Sequence, residues 1–173
     1  MKVDMNWIQH IDQLKGALSG DGVFLVAVDR DGKVNPMTIG WGEVGIVWGR
    51  PVFTVLVRRS RYTHGCLLSS QDFTVNVPGP GRLKEALLFC GTKSGREMDK
   101  AAKCGLTYAP AKYVKTPIIE ACSLHYECRI LVRRQLDRAD FASPEVLKEY
   151  YGTDDHHMIV VGEIVAAYAD EAL

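Results

Sequence analysis

The chain has 173 residues, 47% of them hydrophobic, and its 21 Lys and Arg residues balance its 21 Asp and Glu residues. This length suits one domain with a sizeable core, so we expect a single domain over residues 1–173. The balanced charge argues against general binding to nucleic acid or to an anionic membrane surface. No apolar run resembles a signal peptide or approaches the ~18 residues of a membrane span, which predicts a cytoplasmic protein.

The cysteines are odd in number, irregularly spaced and without a CxxC pair: Cys66, Cys90, Cys104, Cys122 and Cys128. This pattern disfavours a disulfide framework and a structural zinc site. We interpret them as buried or idle thiols in a reducing cytoplasm, and note that Cys90 precedes a Gly/Ser-rich loop. The neighbouring His156 and His157 have no placed partner that would complete a metal site, so no metal is expected.

The first half of the chain predicts one helix and several strands. Apolar residues recur at helical spacing over residues 7–18. The apolar run Val23–Val28, a polar turn and a second extended run over residues 34–48 predict a β-hairpin. Two further strands are predicted over residues 52–57 and 73–77.

The second half adds short helices and two long strands. Residues 83–90 and 97–104 are helix candidates. Residues 123–133 alternate between apolar and polar, which predicts a half-buried strand with His125 facing solvent. Ser143 and Pro144 favour a helix start, and residues 157–168 form the last predicted strand. Strands without βαβ alternation predict a mainly β fold, closed into a barrel so that no edge is exposed.

One glycine motif is misleading. Residues 40–45 match GxGxxG letter for letter. A dinucleotide-binding fold needs this loop to open a helix, with an acidic residue ~20 positions further on. Here residues 46–48 continue as strand, Pro51 follows, and no such acid is present. We therefore reject that interpretation, because glycines in a strand pattern typically mark bulges or a close backbone approach.

The segment from Arg58 to Thr63, with sequence RRSRYT, combines arginine and hydroxyl side chains just before a predicted helical stretch. Guanidinium and hydroxyl groups bind phosphate, and a following helix directs free N–H groups and its positive dipole end at the same anion. A solvated basic loop is the alternative, because charge runs are usually solvated.

The segment NPMTIGW, residues 35–41, places a proline within a predicted strand. Proline withholds a ladder N–H, so this strand is expected at a sheet edge or at a bulge. Its backbone would then be free to bind a ligand, with polar side chains at Asn35 and Thr38 and an aromatic face at Trp41. An ordinary strand that tolerates a proline is the alternative.

Five segments, NPMTIGWG, RRSRYT, FTVNVP, CGTKSGREMDK and HHMIVVGEIVA, occur in an order and spacing that resemble the flavin reductase-like family, which includes flavoredoxins. The resemblance covers residues 20–168. It implies an FMN-binding split β-barrel with a few short peripheral helices, usually dimeric, in which the flavin lies between strand ends and loops.

The resemblance also implies the cofactor contacts. Ser60, Arg61 and Thr63 would hold the phosphate with help from Arg59, and Lys100 would approach the flavin ring. A surface helix lysine is the alternative for Lys100. Matched by position, the implied cofactor-binding residues are Asn35, Met37, Thr38, Ile39, Trp41, Arg59, Ser60, Arg61, Thr63, Asn76, Ser94, Gly95, Lys100 and His157.

The implied activity is an oxidoreductase that passes electrons through FMN, from NAD(P)H to flavin or to another small acceptor such as ferric iron. No catalytic residue is assigned, because hydride transfer to a flavin requires no protein acid–base pair. The sequence has no defensible nicotinamide fingerprint. A flavoredoxin-type electron carrier with permanently bound FMN and protein redox partners therefore stays open. A homodimer is expected in either case.

Overall fold

A computed structural model describes residues 1–171 of the chain. Its strands are β1 (Lys2–Asp4), β2 (Val23–Val28), β3 (Val34–Ile39), β4 (Gly42–Val47), β5 (Arg50–Arg58), β6 (Asp72–Val77), β7 (Tyr108–Ala109), β8 (Ile118–Ile119), β9 (Leu124–Gln135) and β10 (His157–Asp170). Its α-helices are α1 (Ile11–Ser19), α2 (Tyr62–Ser69), α3 (Lys84–Thr92), α4 (Lys100–Cys104) and α5 (Pro144–Tyr150), with a 3₁₀ turn at Arg138–Asp140. In this part of the chain, no helix is long and apolar enough to cross a membrane.

One antiparallel sheet holds eight strands in the order β3-β2-β6-β9-β10-β5-β4, with β1 beside β10. Strands β3 and β4 are its two edges, yet only Gly40 and Trp41 separate them in sequence. Ile39 and Gly42 therefore lie at most about 11 Å apart. The sheet must curl until its edges approach each other at this corner, and it forms a barrel that stays open along one side.

The predicted mainly β architecture is confirmed, but the prediction of one strand over residues 34–48 is wrong. The chain breaks at Gly40 and Trp41, because β3 pairs with β2 and β4 pairs with β5. The edge position predicted from Pro36 is confirmed, since β3 ends the sheet. Rejecting the dinucleotide motif was also correct, because Gly42–Val47 is a strand.

Two helix starts are set by N-caps. The Asp99 carboxylate accepts a hydrogen bond from Ala102 N, so α4 begins at Lys100, later than the predicted residue 97. Ser143 accepts from Val146 N, and Pro144 occupies the first helical position, as predicted. A short polar side chain in this place satisfies an N–H group that would otherwise lack a partner.

Two apolar layers form the core. Inside the barrel, Phe53, Phe73 and Tyr126 are fully buried. A second cluster packs α3 and α4 against the outer face of β2 and includes Phe24 and Leu87. Helix α3 thereby lies along β3, beside the open side of the barrel.

The prediction that His125 faces solvent is wrong. His125 and Glu127 are fully buried, because the segment that carries β7 and β8 covers this face of β9. The imidazole of His125 bonds to Asn76 Oδ1 at 2.8 Å. The Glu127 carboxylate accepts bonds from the backbone N–H groups of residues 112–114 at 2.6–3.2 Å. Both faces of the first half of β9 therefore carry buried side chains, with polar partners on the second face.

Candidate functional site

A cavity of about 180 Å³ lies in the opening of the barrel. The ladder between β4 and β5 ends at Gly42 and Val55, so the last residues of β5 have no strand partner on that side. One wall comes from β3 and its corner, and the other from β5 and β10. The cavity is lined by Met37, Thr38, Ile39, Gly40, Trp41, Leu56, Arg58, Arg61 and His157.

The backbone of β3 presents free polar groups to this opening. Asp29 N donates to Lys33 O at the end of the β2–β3 hairpin. Bonded and non-bonded pairs alternate in an antiparallel ladder, so Asn35, Met37 and Ile39 are bonded to β2. The backbone N–H and C=O of Thr38 consequently point away from β2, at the sheet edge. The side chain of Thr38 is already used, because its hydroxyl donates to Leu87 O at 2.6 Å.

A second cavity, of about 260 Å³, shares Met37 and Arg61 with the first. It lies between the N-terminus of α2 and the loop that joins α3 to α4. Its lining comprises Met37, Ser60, Arg61, Tyr62, Thr63, Cys90, Thr92, Lys93, Ser94, Gly95, Arg96, Glu97 and Lys100. Together the two cavities form a cleft, the β3–α2 cleft, that runs from the barrel opening to a helix N-terminus.

The α2 end of the cleft is built to bind an anion. Arg61 is the N-cap of α2 but makes no side-chain capping bond. The N–H of His64 donates to Arg61 O at 3.1 Å, so the N–H groups of Tyr62 and Thr63 are the ones that face a ligand. Its guanidinium is held in place by a bond from Nη1 to Gly91 O at 3.0 Å. Free N–H groups, the positive end of the helix dipole and a guanidinium together favour a phosphate group.

Tyr62, the first residue of α2, lies close to two cations. Lys33 Nζ lies 5.3 Å from its ring centroid, and the guanidinium of Arg96 lies 5.6 Å away. The phenol donates to Asp29, whose carboxylate raises the pKa of Tyr62 to about 12. Arg96 also donates to Ser60 O at 2.9 Å. These contacts add positive charge beside the helix N-terminus.

Lys100 is a buried cation that lacks an anionic partner. Its side chain is 3% exposed, and Nζ donates to Cys90 O at 3.1 Å. Within residues 1–171 no carboxylate lies at ion-pair distance from it. Burial lowers the pKa of Lys100, as expected where an ammonium loses water without gaining a counter-charge. A ligand with negative charge in the cleft would supply that charge, so the residues present fit an anionic cofactor.

The loop between α3 and α4 approaches β3 closely at Gly95. A Cβ atom there would stand 2.0 Å from Asn35 Oδ1 and 2.8 Å from Tyr62 Cδ1. Asn35 Nδ2 in turn donates to Thr63 Oγ1 at 2.8 Å, with both residues buried. Asn35 and Thr63 therefore hold the loop and α2 in place, and Thr63 alone of the two lines the cleft.

His157 and Trp41 lie at the barrel end of the cleft. Their ring centroids are 5.4 Å apart, and Trp41 remains 45% exposed. The phenol of Tyr151 bonds to His157 Nδ1 at 2.7 Å. Burial, with a further contribution from the positive charge of Arg58, lowers the pKa of His157 to about 4. The imidazole is therefore neutral at pH 7 and presents a polar edge rather than a charge.

Besides Asn35, three of the residues implied by the resemblance are placed differently from the rest. The amide and hydroxyl of Ser60 both bond to the Asp155 carboxylate, at 3.0 and 2.6 Å, although Ser60 lines the cleft. Arg59 lines a separate surface opening beside His156. Asn76 lines neither cavity, because its amide bonds to Thr74 Oγ1, Ile119 N and His125. The other implied residues, apart from Asn35, line the cleft.

Several lining residues were not predicted from the sequence. Arg58 belongs to the basic run already noted, and Lys93 and Arg96 belong to the Gly/Ser-rich loop, so composition carried a signal for them. The sequence carries no signal for Leu56, because Leu56 lines the cleft only where the ladder between β4 and β5 has ended. Tyr62 belongs to the RRSRYT segment, but the sequence predicts no individual role for it in the site.

The split antiparallel barrel of this chain is the class of fold found in solved FMN-binding proteins. The model of the Flavin reductase like domain matches residues 18–173, and the chain belongs to this family. The family predicted from the five segments is thereby confirmed, as is the split-barrel fold.

Two solved structures illustrate the similarity. Flavoredoxin from Methanosarcina acetivorans is 30% identical over 87% of this chain and 69% of its own, with a TM-score of 0.65. An FMN-binding protein from Thermus thermophilus with bound p-hydroxybenzaldehyde is 25% identical over 88% and 73%, with a TM-score of 0.66. An uncharacterized protein of Archaeoglobus fulgidus is 35% identical over 99 residues, 57% of this chain. The match spans 55% of that relative, about half its length.

Proposed function

We propose that this chain binds FMN in the β3–α2 cleft and acts as an oxidoreductase that passes electrons through it. The observation that carries the proposal is that an uncapped helix N-terminus, Arg61 and the buried ammonium of Lys100 line one cleft. Among residues 1–171 no carboxylate lies at ion-pair distance from Lys100. A neutral ligand would leave Lys100 without a counter-charge. The FMN-binding protein of Thermus thermophilus and the flavoredoxin of Methanosarcina acetivorans support the same ligand class.

Each part of the cleft has a task in this proposal. Bound FMN supplies two-electron redox chemistry, while the protein supplies binding and electrostatics. Arg61 and the first turn of α2 hold the phosphate. The free N–H and C=O of Thr38 would hydrogen-bond the polar edge of the flavin ring, and the ammonium of Lys100 would stabilise the negative charge of reduced flavin. Trp41 and the neutral His157 limit water access at the barrel end.

The electron donor in the proposed reaction is NADH or NADPH, and the acceptor is free flavin or another small molecule. A flavoredoxin-type carrier, with permanently bound FMN and protein redox partners, is the second candidate. The 30% identity with a flavoredoxin favours it. The two candidates differ in whether a reduced nicotinamide reacts directly with the protein.

An anaerobic titration tests the proposal. The purified protein, reconstituted with FMN if it is colourless, is mixed with NADH, with NADPH or with dithionite, and the flavin absorbance is followed. Rapid bleaching by a nicotinamide supports the reductase, whereas bleaching by dithionite alone supports the carrier. A protein that shows no FMN binding by calorimetry would refute both candidates.

A further inference from the structure

A carboxylate in the β2–β3 turn holds the first residue of α2. Asp29 follows β2, and its Oδ1 accepts bonds from Asp31 N and Lys33 N at 2.9 and 2.8 Å. Its other oxygen, Oδ2, accepts a bond from the phenol of Tyr62 at 2.5 Å. Hydrogen bonds to an ionised carboxylate are stronger than those between neutral groups. The turn therefore fixes the carboxylate, and the carboxylate fixes the ring of Tyr62.

The same turn reaches the α3–α4 loop through Lys33. Its ammonium donates to Gly95 O and lies 5.3 Å from the centroid of the Tyr62 ring. Gly95 is buried, and a Cβ there would stand 2.8 Å from Tyr62 Cδ1, so the loop backbone packs on this ring. Asp29, Lys33 and Tyr62, which we call the Tyr62 clamp, thus join the turn, α2 and the loop.

The Tyr62 clamp holds the two walls of the cavity that would receive the FMN phosphate. Asp29 and Lys33 line neither cavity of the cleft, so they can act on a ligand only through the parts that they hold. Those parts are the first turn of α2 and the loop that carries Ser94 and Arg96. A ligand in this cavity lies between them, so movement of the loop away from α2 would open its path to solvent.

We propose that Asp29, Lys33 and Tyr62 are positioning residues that set the lifetime of bound FMN, an inference that rests on the proposed function. While the Tyr62 clamp is closed, the loop stays beside α2 and the phosphate is retained. Changes at a binding site usually act on the dissociation rate more than on the association rate. The same three residues would therefore decide whether FMN stays as a permanent cofactor or exchanges as a substrate.

The rate of flavin release tests the proposal. Tyr62→Phe removes the phenol but keeps the ring that packs on the loop. We expect FMN to dissociate about tenfold faster from this variant, as for loss of one hydrogen bond to a charged group. Riboflavin, which lacks the phosphate, should dissociate at the wild-type rate. Recovery of flavin fluorescence after rapid dilution of the loaded protein measures both rates.

Tyr113→Phe is the matched control, because Tyr113 is 65% exposed. It should release both flavins at the wild-type rates. An unchanged rate of FMN release in Tyr62→Phe would overturn the proposal. Equal acceleration of FMN and riboflavin release would also overturn it, because that result indicates general damage to the cleft.

Two substitutions of Lys33 separate its donor from its packing. Lys33→Met keeps an unbranched stem but loses the bond to Gly95 O, so FMN should leave faster. Lys33→Arg keeps a cation with N–H donors and should restore most of the wild-type lifetime. Equal release rates in the two variants would show that the bond from Lys33 to the loop does not retain FMN.

Hydrogen exchange of the flavin-free protein tests the Tyr62 clamp without a cofactor. Backbone amides of the loop donate to Phe89 O and Ser94 O, so they are protected while the loop is in place. We expect faster exchange over residues 93–97 in Tyr62→Phe and unchanged exchange over residues 124–130 of β9. Equal exchange of the loop in both proteins would overturn the proposal even if FMN binds. A protein that binds no FMN fails the proposed function and leaves this experiment to decide whether the loop is held.

Discussion

Arg61 and Arg59 are two positions apart in the chain but face different cavities. If Arg61 holds the phosphate, Arg61→Ala should weaken FMN binding. Loss of one charge-assisted hydrogen bond costs about 1.5–3 kcal/mol, or roughly a 10- to 150-fold loss of affinity. Riboflavin lacks the phosphate, so its affinity should stay unchanged. Dissociation constants of both ligands, measured by quenching of flavin fluorescence, give the comparison.

Arg59→Ala is the matched control for this measurement. It removes an equal charge from the same basic run, but on a side chain that lines another opening. We expect FMN affinity to stay close to that of the wild type. An equal loss in both variants would indicate general electrostatic attraction, and equal losses of FMN and riboflavin affinity in Arg61→Ala would indicate a damaged cleft.

His157 should make the fold sensitive to acid. Its pKa is about 4 in the folded protein and ~6.5 when unfolded. Between these values the unfolded chain takes up a proton that the folded chain does not, so stability is complete above pH 6.5 and is lost as the pH falls towards 4. The expected loss from this residue is about 2 kcal/mol of unfolding free energy between pH 8 and pH 5.

Urea unfolding at the two pH values checks this expectation. In His157→Gln the difference between pH 8 and pH 5 should shrink by about 2 kcal/mol. His125 contributes in the same direction in both proteins, because burial lowers its pKa to about 3. The exposed His10 provides the control substitution, His10→Gln. An unchanged pH dependence in His157→Gln would show that His157 has no such role.

The sequence predicts which residue types form the site better than it predicts which side chains face the cleft. Arg61, Lys100 and His157, which the resemblance to a known family predicts as site residues, line the cleft. Arg59 and Asn76 match the same segments, yet Arg59 faces another opening and the amide of Asn76 bonds inside the core. Arg59 lies in the turn between β5 and α2, and every residue of β6, including Asn76, is buried. Which side chain reaches a ligand depends on packing that a linear pattern does not contain.

At the scale of elements, the α3–α4 loop depends on one residue without a side chain. Because a Cβ at Gly95 would overlap Asn35 and Tyr62, Gly95→Ala should push the loop away from β3. We expect at least a tenfold loss of FMN affinity, since Ser94, Arg96 and Lys100 would be displaced together with the loop. Calorimetric titration with FMN measures the loss.

Gly65→Ala is the control for this change. Gly65 lies in α2, next to the same site, and a Cβ there meets no atom within 4 Å. Alanine in a helix is more stable than glycine by roughly 0.5–1 kcal/mol, so this variant should melt later and keep its FMN affinity. Wild-type affinity in Gly95→Ala would mean that the loop does not shape the cleft.

Periodicity and composition predict where most strands lie. They do not predict where a strand ends or which of its faces is buried, when pairing with another strand or packing against another segment determines this. The break at Gly40 and Trp41 was missed, because both halves of the run have strand composition and only pairing with β2 or β5 separates them. The second buried face of β9 was missed for a similar reason. Its polar residues have the pattern of a solvent-facing side, but Glu127 accepts bonds from the covering segment at residues 112–114, and His125 bonds to Asn76 on the adjacent strand β6.

At the scale of the whole molecule, the β4–β5 hairpin exposes apolar surface. Trp48 is 67% exposed at its tip, with Ile46 also exposed. Trp48 and Gly49 have positive φ angles of 52° and 70°, which suits a tight hairpin turn but is uncommon for tryptophan. A large side chain held outward at such a position is typical of an interaction surface. We expect this surface to lie in a two-fold homodimer.

Trp48→Glu tests the assembly. Sedimentation velocity at micromolar concentration should give a dimer for the wild type and a monomer for Trp48→Glu. Leu88→Glu is the control, because Leu88 is equally exposed but lies on α3. A wild type that sediments as a monomer would refute the homodimer, and a dimer that persists in Trp48→Glu but not in Leu88→Glu would move the interface to α3.

The position of β10 in the sheet has a consequence for folding. This strand bonds to β1, β5 and β9, and its pairs join Asp170 to Lys2 and His157 to Arg58. Such distant pairings form slowly, because closing a long loop precedes any gain in contacts. One wall of the cleft includes β5 and His157, so it is complete only once β10 has docked. Flavin that binds the finished cleft should therefore slow unfolding without accelerating folding.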